Sequence, residues 1–165
     1  MHPQLESVFD EAENRYLKPE ELSVLSQYVS SLPERLDTYR VLRDRELDIM
    51  QKVADDLVAA MPGESQPRLE RSIRNALLVL RYCAMGMLLE DESFVQGRIQ
   101  GWLKESIQAY DTPQIETQLY TLLDKHLAQS LSAAQVALLK PLLALAQNTL
   151  LGAAEEPLTA SVLGW

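Results

Sequence analysis

At 165 residues, 47% of them apolar, the chain is long enough to bury one core and too apolar for intrinsic disorder over most of its length. Its formal net charge of −9 argues against a nucleic-acid partner, because phosphate neutralisation takes clustered Lys and Arg, and here they are outnumbered and interspersed. A single Cys leaves no internal disulfide and fits a reducing compartment, while scarce Gly and abundant Leu, Ala, Glu and Arg favour helix.

The first predicted helix covers Gln4 to Arg15, with Leu5, Val8, Phe9, Ala12 and Tyr16 on one face and Glu6, Asp10, Glu11 and Glu13 on the other. No signal-peptide profile is expected, since Met1 leads directly into polar residues. Lys18-Pro19-Glu20-Glu21 opens a second helix, with Pro at its first position and two acids at the positive end of the dipole. Its apolar face is Leu22, Leu25, Tyr28, Val29 and Leu32, and Ser30-Ser31-Leu32-Pro33 is expected to end it. Such a pair hardly makes a core and must pack on something else.

Glu34 to Met61 forms the third predicted segment. Its apolar spacing stumbles at Arg43-Asp44-Arg45-Glu46, where a bend or break is expected. Pro62 to Pro67 is a loop by turn chemistry. A central helix then runs from Pro67 to Asp91, with Leu69, Ile73, Ala76, Leu77, Leu80, Cys83, Ala84, Met87 and Leu88 at three- and four-residue steps. From Ala76 the stripe widens until only Arg81 and Tyr82 interrupt it, which marks a helix buried on several sides. The apolar run Ala76 to Leu89 contains an Arg and reads as too short for a membrane span.

After Asp91-Glu92-Ser93, one helix is expected from Phe94 to about Ala109. Thr112 as cap and Pro113 at the first position open the next, which reaches about Ala128. Ser132 to Gln135 is a capping box leading a Leu-rich helix to Leu151, with Pro141 expected to bend it and Gly152 as C-cap. From Ala153 to Trp165 the periodicity is lost; Leu158, Val162, Leu163 and Trp165 could dock as a hook, with a frayed tail as the default. The prediction is an all-α fold, seven or eight helices around a long central one, packed in globin-like rather than four-helix-bundle fashion.

Candidate chemistry is sparse. His126 lies on an apolar face with no second ligand at metal spacing, so a structural histidine is expected and no metal site. There is no G-x-S-x-G, and no two acids are paired in an evidently buried site. Cys83 reads as a core residue. No enzyme activity is expected.

Three motifs in order resemble the phycobiliproteins, the light-harvesting subunits of the phycobilisome. Arg15-Tyr16-Leu17-Lys18-Pro19-Glu20-Glu21-Leu22 is similar to that family's R-F/Y-L-x-x-x-E-L at the junction of its two N-terminal helices. Ser72-Ile73-Arg74-Asn75 followed by Leu80-Arg81-Tyr82 resembles C-x-R-D followed by L-R-Y/M. Asp91-x-Ser93 and Leu103-Lys104-Glu105-Ser106 through Thr112-Pro113 resemble D-x-S, L-K-E-T and T-P. The resemblance spans roughly residues 4 to 151 and implies one globin-like domain over 1–151: an N-terminal helical hairpin for association (1–32), a globin-like body (33–151) and a C-terminal tail (152–165).

The departures carry the functional expectation. The family's cysteine forms a thioether to a linear tetrapyrrole (bilin); its place is taken by Ser72, so covalent bilin is not expected. Asn75 replaces the Asp that accepts hydrogen bonds from the pyrrole N–H groups, keeping a carbonyl oxygen but losing the charge that makes such bonds strong. Arg74 matches the arginine that pairs with a bilin propionate. Ser72, Arg74 and Asn75 thus read as the remnant of a pocket, and the loop before them is shorter than the family's. A bilin on Cys83, about three turns or ~16 Å along the axis, would need a different pocket.

Assembly features look better retained. The resemblance implies that the hairpin packs on another subunit, an acid at Glu11 pairing with Arg81 there, with Arg15 and Tyr16 at the same interface; the alternative is a hairpin folded back on its own domain. The expected function is a non-chromophorylated phycobiliprotein-like protein acting by protein contact in phycobilisome structure, assembly, turnover or regulation. Its partners would be phycobiliprotein-type subunits or a second copy, and its place the cytoplasm, at the thylakoid face with phycobilisomes. Two alternatives are a protein that binds or handles a tetrapyrrole (bilin, chlorophyll or haem) non-covalently, and a helical adaptor unrelated to light harvesting.

Overall fold

The computed structural model describes residues 3–12, 14–110 and 112–152. Among them the chain forms seven α-helices and no strand: α1 (Pro3–Ala12), α2 (Pro19–Ala60), α3 (Gln66–Leu89), α4 (Glu92–Ile99), α5 (Trp102–Ala109), α6 (Pro113–Ser130) and α7 (Ala133–Leu151). The expected all-α architecture is what the chain adopts. α3 is the organiser, touching α2, α4, α6 and α7. Its inner residues Ala76, Val79 and Cys83 are fully buried against Val53 and Leu57 of α2 and Leu123 of α6. Leu158, Val162, Leu163 and Trp165, the expected hook, lie outside the described residues.

The largest departure from the predicted elements is α2. The spacing predicts a helix ending at Pro33 and a second with a break near Arg43; the chain instead runs through both points as one helix of 42 residues, about 63 Å long. Pro33 removes the backbone donor that would meet the Val29 carbonyl and crowds the preceding turn, and side-chain donors tie the turn just before that point. The Ser30 hydroxyl donates to the Gln27 carbonyl at 2.9 Å and the Ser31 hydroxyl to the Tyr28 carbonyl at 3.0 Å. Arg35 adds a second bond to the Tyr28 carbonyl at 2.9 Å. The irregular stretch Arg43 to Glu46 is a charged outer face, not a break: Arg43 pairs with Asp44 at 2.8 Å and Arg45 donates to the Ser130 carbonyl at 2.9 Å.

What divides α2 is burial. Every fully buried side chain in it comes at or after Arg35, whereas Leu22 and Val29 are half exposed. The first four turns therefore project as an arm that continues the body's own helix. Leu5 and Val8 of α1 are buried and Phe9 is half exposed, so α1 covers one apolar face within the chain and leaves another open.

Arg35 joins the arm to the body. It is 2% exposed, its guanidinium stacks 4.4 Å from the Tyr28 ring centroid, and Nη1 donates to the Leu88 carbonyl at the end of α3. Nη2 donates to the Ser31 hydroxyl at 3.0 Å and lies 3.5 Å from the Glu90 carboxylate. A cation at a helix C-terminus meets the negative end of the dipole and satisfies an orphan carbonyl.

The helix predicted from Phe94 to Ala109 is two, α4 and α5, because Gly101 between them has φ +101°, a conformation that continues no right-handed helix. α4 is capped by Asp91, whose carboxylate accepts from the Phe94 N–H at 3.1 Å and the Ser93 hydroxyl at 2.6 Å. That is the structural content of the D-x-S motif. The α3–α4 corner is tight enough that a Cβ at Gly86 would run into the Val95 side chain and the Asp91 carbonyl. α7 starts with the expected capping box, the Ser132 hydroxyl accepting from the Gln135 N–H at 3.2 Å and the Gln135 side chain from the Ser132 N–H at 3.0 Å. Thr112 sits at the cap position of α6, but its hydroxyl makes no cap bond there.

α3 has 24 residues, and as a whole helix it is long and apolar enough to cross a bilayer by length and composition alone. Its packing against four other helices is what identifies it as the centre of a core.

Candidate functional site

Ser72 points into the protein. It lies on the inner face of α3 with Ala76, Val79 and Cys83 and is 2% exposed. Opposite it is the first turn of α6, where Glu116 is completely buried. One carboxyl oxygen of Glu116 lies 3.5 Å from the Thr112 hydroxyl, and the other has no hydrogen-bond partner. Burial pushes the Glu116 carboxyl above its ordinary range, with the Ser72 and Thr112 hydroxyls pulling weakly the other way. One turn further, Tyr120 is buried with its hydroxyl unpartnered, and desolvation raises it well above the usual phenol value. Cys83 is fully buried, its thiol pushed up to about 12 by desolvation, so it is an inert core residue and not a nucleophile.

Arg74 points the other way. Two residues on a helix turn about 200°, and Arg74 is exposed at a groove between α2 and α3 of about 750 Å³, bordered by Asp55, Val58, Glu70, Ile73 and Leu77. Asn75 is half-buried between these extremes. Beside it the Arg71 guanidinium stacks on the Tyr110 ring at 3.7 Å and ties α3 to the end of α5. Ser72, Arg74 and Asn75 therefore do not converge on one pocket. Ser72 offers no thiol for a thioether and is buried, so the residues present do not fit a chromophore attached covalently at that position.

The assembly positions lie on the surface. Arg81 projects from the outer face of α3 and makes a two-point ion pair with Glu46 of α2, Nε and Nη2 each 2.7 Å from a carboxylate oxygen. Its side chain is 58% exposed and that of Glu46 only 17%. Around the pair runs a groove of about 520 Å³ lined by Tyr39, Arg43, Tyr82, Phe94 and Arg98. Arg15 makes a similar two-point contact with Glu21, at 2.7 and 2.9 Å; this holds the turn between α1 and α2. Tyr16 is 99% exposed. The Glu11 side chain lies outside the described residues.

His126, expected as a structural histidine, is buried at the α2–α6 contact with Nε2 2.8 Å from Asp56 and Nδ1 without a partner. Lys125 joins the same carboxylate at 3.0 Å and, with His126, holds Asp56 below the usual carboxylate range.

Sequence reasoning missed Glu46, Glu116 and Arg35. A signal existed for two of them. Glu116 falls in the series Glu116, Tyr120, Leu123, Leu127, and Arg35 in the series Tyr28, Arg35, Leu42, Ile49. Both are charged residues at helical positions where every neighbour in the series is apolar. Glu46 carries no such signal, since its partner is set by how α2 crosses α3.

The model of the phycobilisome protein family matches residues 9–150. The C-phycocyanin beta chain of Aglaothamnion neglectum is 27% identical over 111 residues, 62% of this chain and 64% of that one. The C-phycocyanin beta chains of Porphyra purpurea and Pyropia haitanensis are 29% identical over the same shares. These matches thus span less than two thirds of those relatives. With the seven-helix, all-α fold and the family's motifs in their order along it, the chain belongs to the phycobilisome protein family.

Proposed function

We propose that this protein is a phycobiliprotein-like subunit without covalent bilin, acting by protein contact in phycobilisome structure, assembly, turnover or regulation. The observation that carries the reading is the contrast between positions 72 and 81. The attachment position is a serine, buried and packed against Glu116, while the assembly arginine stands on the surface, oriented by Glu46. The apolar side chains left open on α1, the turn after it and the arm, Phe9, Tyr16, Leu22 and Val29, favour association with a phycobiliprotein-type subunit or a second copy. The action proposed is non-enzymatic and located with phycobilisomes at the thylakoid face.

Absorbance of the protein purified from its host tests this. The expected result is no stoichiometric visible band after denaturation; a band that survives denaturation overturns it.

A second reading rests on Arg74. Its exposed guanidinium at the α2–α3 groove suits a propionate, so a tetrapyrrole could be held there without a covalent bond. Titration with phycocyanobilin and with haem decides: saturable binding at or below micromolar concentration that Arg74→Ala removes supports this reading, and its absence removes it.

A further inference from the structure

Glu116 is the one fully buried acid among the described residues, and the proposed function uses it only as packing behind Ser72, not for its charge. An ionised carboxylate taken out of water is costly without a cation or several donors. The groups around it supply neither. From α3 it faces the Ser72 hydroxyl, and Cys83 bears on the neighbouring Tyr120. On α6 its neighbours are Thr112 and Tyr120. Glu64 and Arg68 line the crevice at Thr112, with the arginine 3.0 Å from that acid. Among the described residues no cation bears on Glu116, and its Oε2 has no hydrogen-bond partner. A protonated carboxyl, by contrast, is neutral and has a hydrogen to offer a neighbouring hydroxyl.

We propose that the contact between Ser72 of α3 and Thr112 and Glu116 of α6 is a proton-dependent latch, closed while Glu116 carries its proton and released when it ionises. Release loosens the packing of α6 over position 72 of α3. The direction follows from linkage. Burial raises the Glu116 carboxyl above its unfolded value of 4.5, so the folded state binds the proton more tightly than the unfolded state. The stabilisation is complete below that value and is lost as pH rises to the folded one. Tyr120 and Cys83 are both pushed up by burial, so Glu116 titrates before either.

Denaturant unfolding of the full chain against pH, beside Glu116→Gln, tests the latch. In wild type the unfolding constant should rise with pH by up to about tenfold per unit across the titration, and this dependence should vanish in the variant. Amide exchange around Ser72 and Thr112 should accelerate over the same interval in wild type alone. An equal pH slope in both proteins overturns the proposal. If Glu116→Gln does not fold, the infrared spectrum of wild type decides. A protonated-carboxyl band persisting above the ordinary carboxylate range and disappearing as exchange accelerates supports the latch; no such band overturns it.

Discussion

Arg81 and Glu46 form a two-point ion pair between α3 and α2, with both contacts at 2.7 Å. Glu46 approaches the guanidinium from the Nε edge, and the arginine remains more than half exposed. Its outer edge is thus presented at a fixed angle above an aromatic-lined groove. An arginine held in this way can meet a further carboxylate with little additional ordering.

If Arg81 serves association, its removal separates binding from stability. Arg81→Ala should cost under ~1 kcal/mol of folding stability, as exposed pairs do. Association with a phycocyanin subunit or a second copy should weaken about tenfold or more, which is ~1.4 kcal/mol. Sedimentation velocity beside urea unfolding reads both, and unchanged association takes Arg81 out of the interface.

Restoring the missing thiol should not restore pigment. Ser72→Cys places a sulfur at a position 2% exposed and backed by Glu116. Incubated folded with phycocyanobilin, the variant should give no stoichiometric adduct, and the introduced thiol should alkylate only in denaturant. Peptide mapping separates that site from Cys83. A stoichiometric thioether on the folded protein shows that the position is open.

Arg35 holds the arm to the body through contacts with Tyr28, Ser31, Leu88 and Glu90. Arg35→Ala strips the buried carbonyls of Tyr28 and Leu88 of this charged donor. Hydrogen bonds to charged groups contribute about 1.5–3 kcal/mol each, and they are not additive. A loss of about 3 kcal/mol is expected in chemical denaturation, with amide exchange rising first along residues 19–34. A loss below ~1 kcal/mol contradicts the role given to Arg35.

The turn between α1 and α2 should survive mild acid. The Arg15 guanidinium, with the Lys18 backbone N–H, holds Glu21 down to about 2, against an ordinary value of 4.5. Because the folded value is depressed, the stabilisation is present above 4.5 and is lost as pH falls toward 2. Carboxyl-carbon NMR of Glu21 should show no titration at pH 4, and Arg15→Ala should return the midpoint to the ordinary range.

The sequence by itself determined the helices, the central place of α3, the capping box of α7 and the change at position 72. These follow from local periodicity, cap chemistry and residue identity, which need no knowledge of what lies opposite. The all-α architecture was legible, but the boundaries inside it were not. Pro33 reads locally as a stop, yet α2 continues through it, with the side chains of Ser30, Ser31 and Arg35 bonded to the turn before it. The tertiary structure alone decided that Glu116 packs behind Ser72, that Glu46 orients Arg81, and that Arg35 reaches the end of α3. Each is a relation between helices far apart in the chain. Such pairings depend on how two helices cross, and no single helix's pattern records that angle.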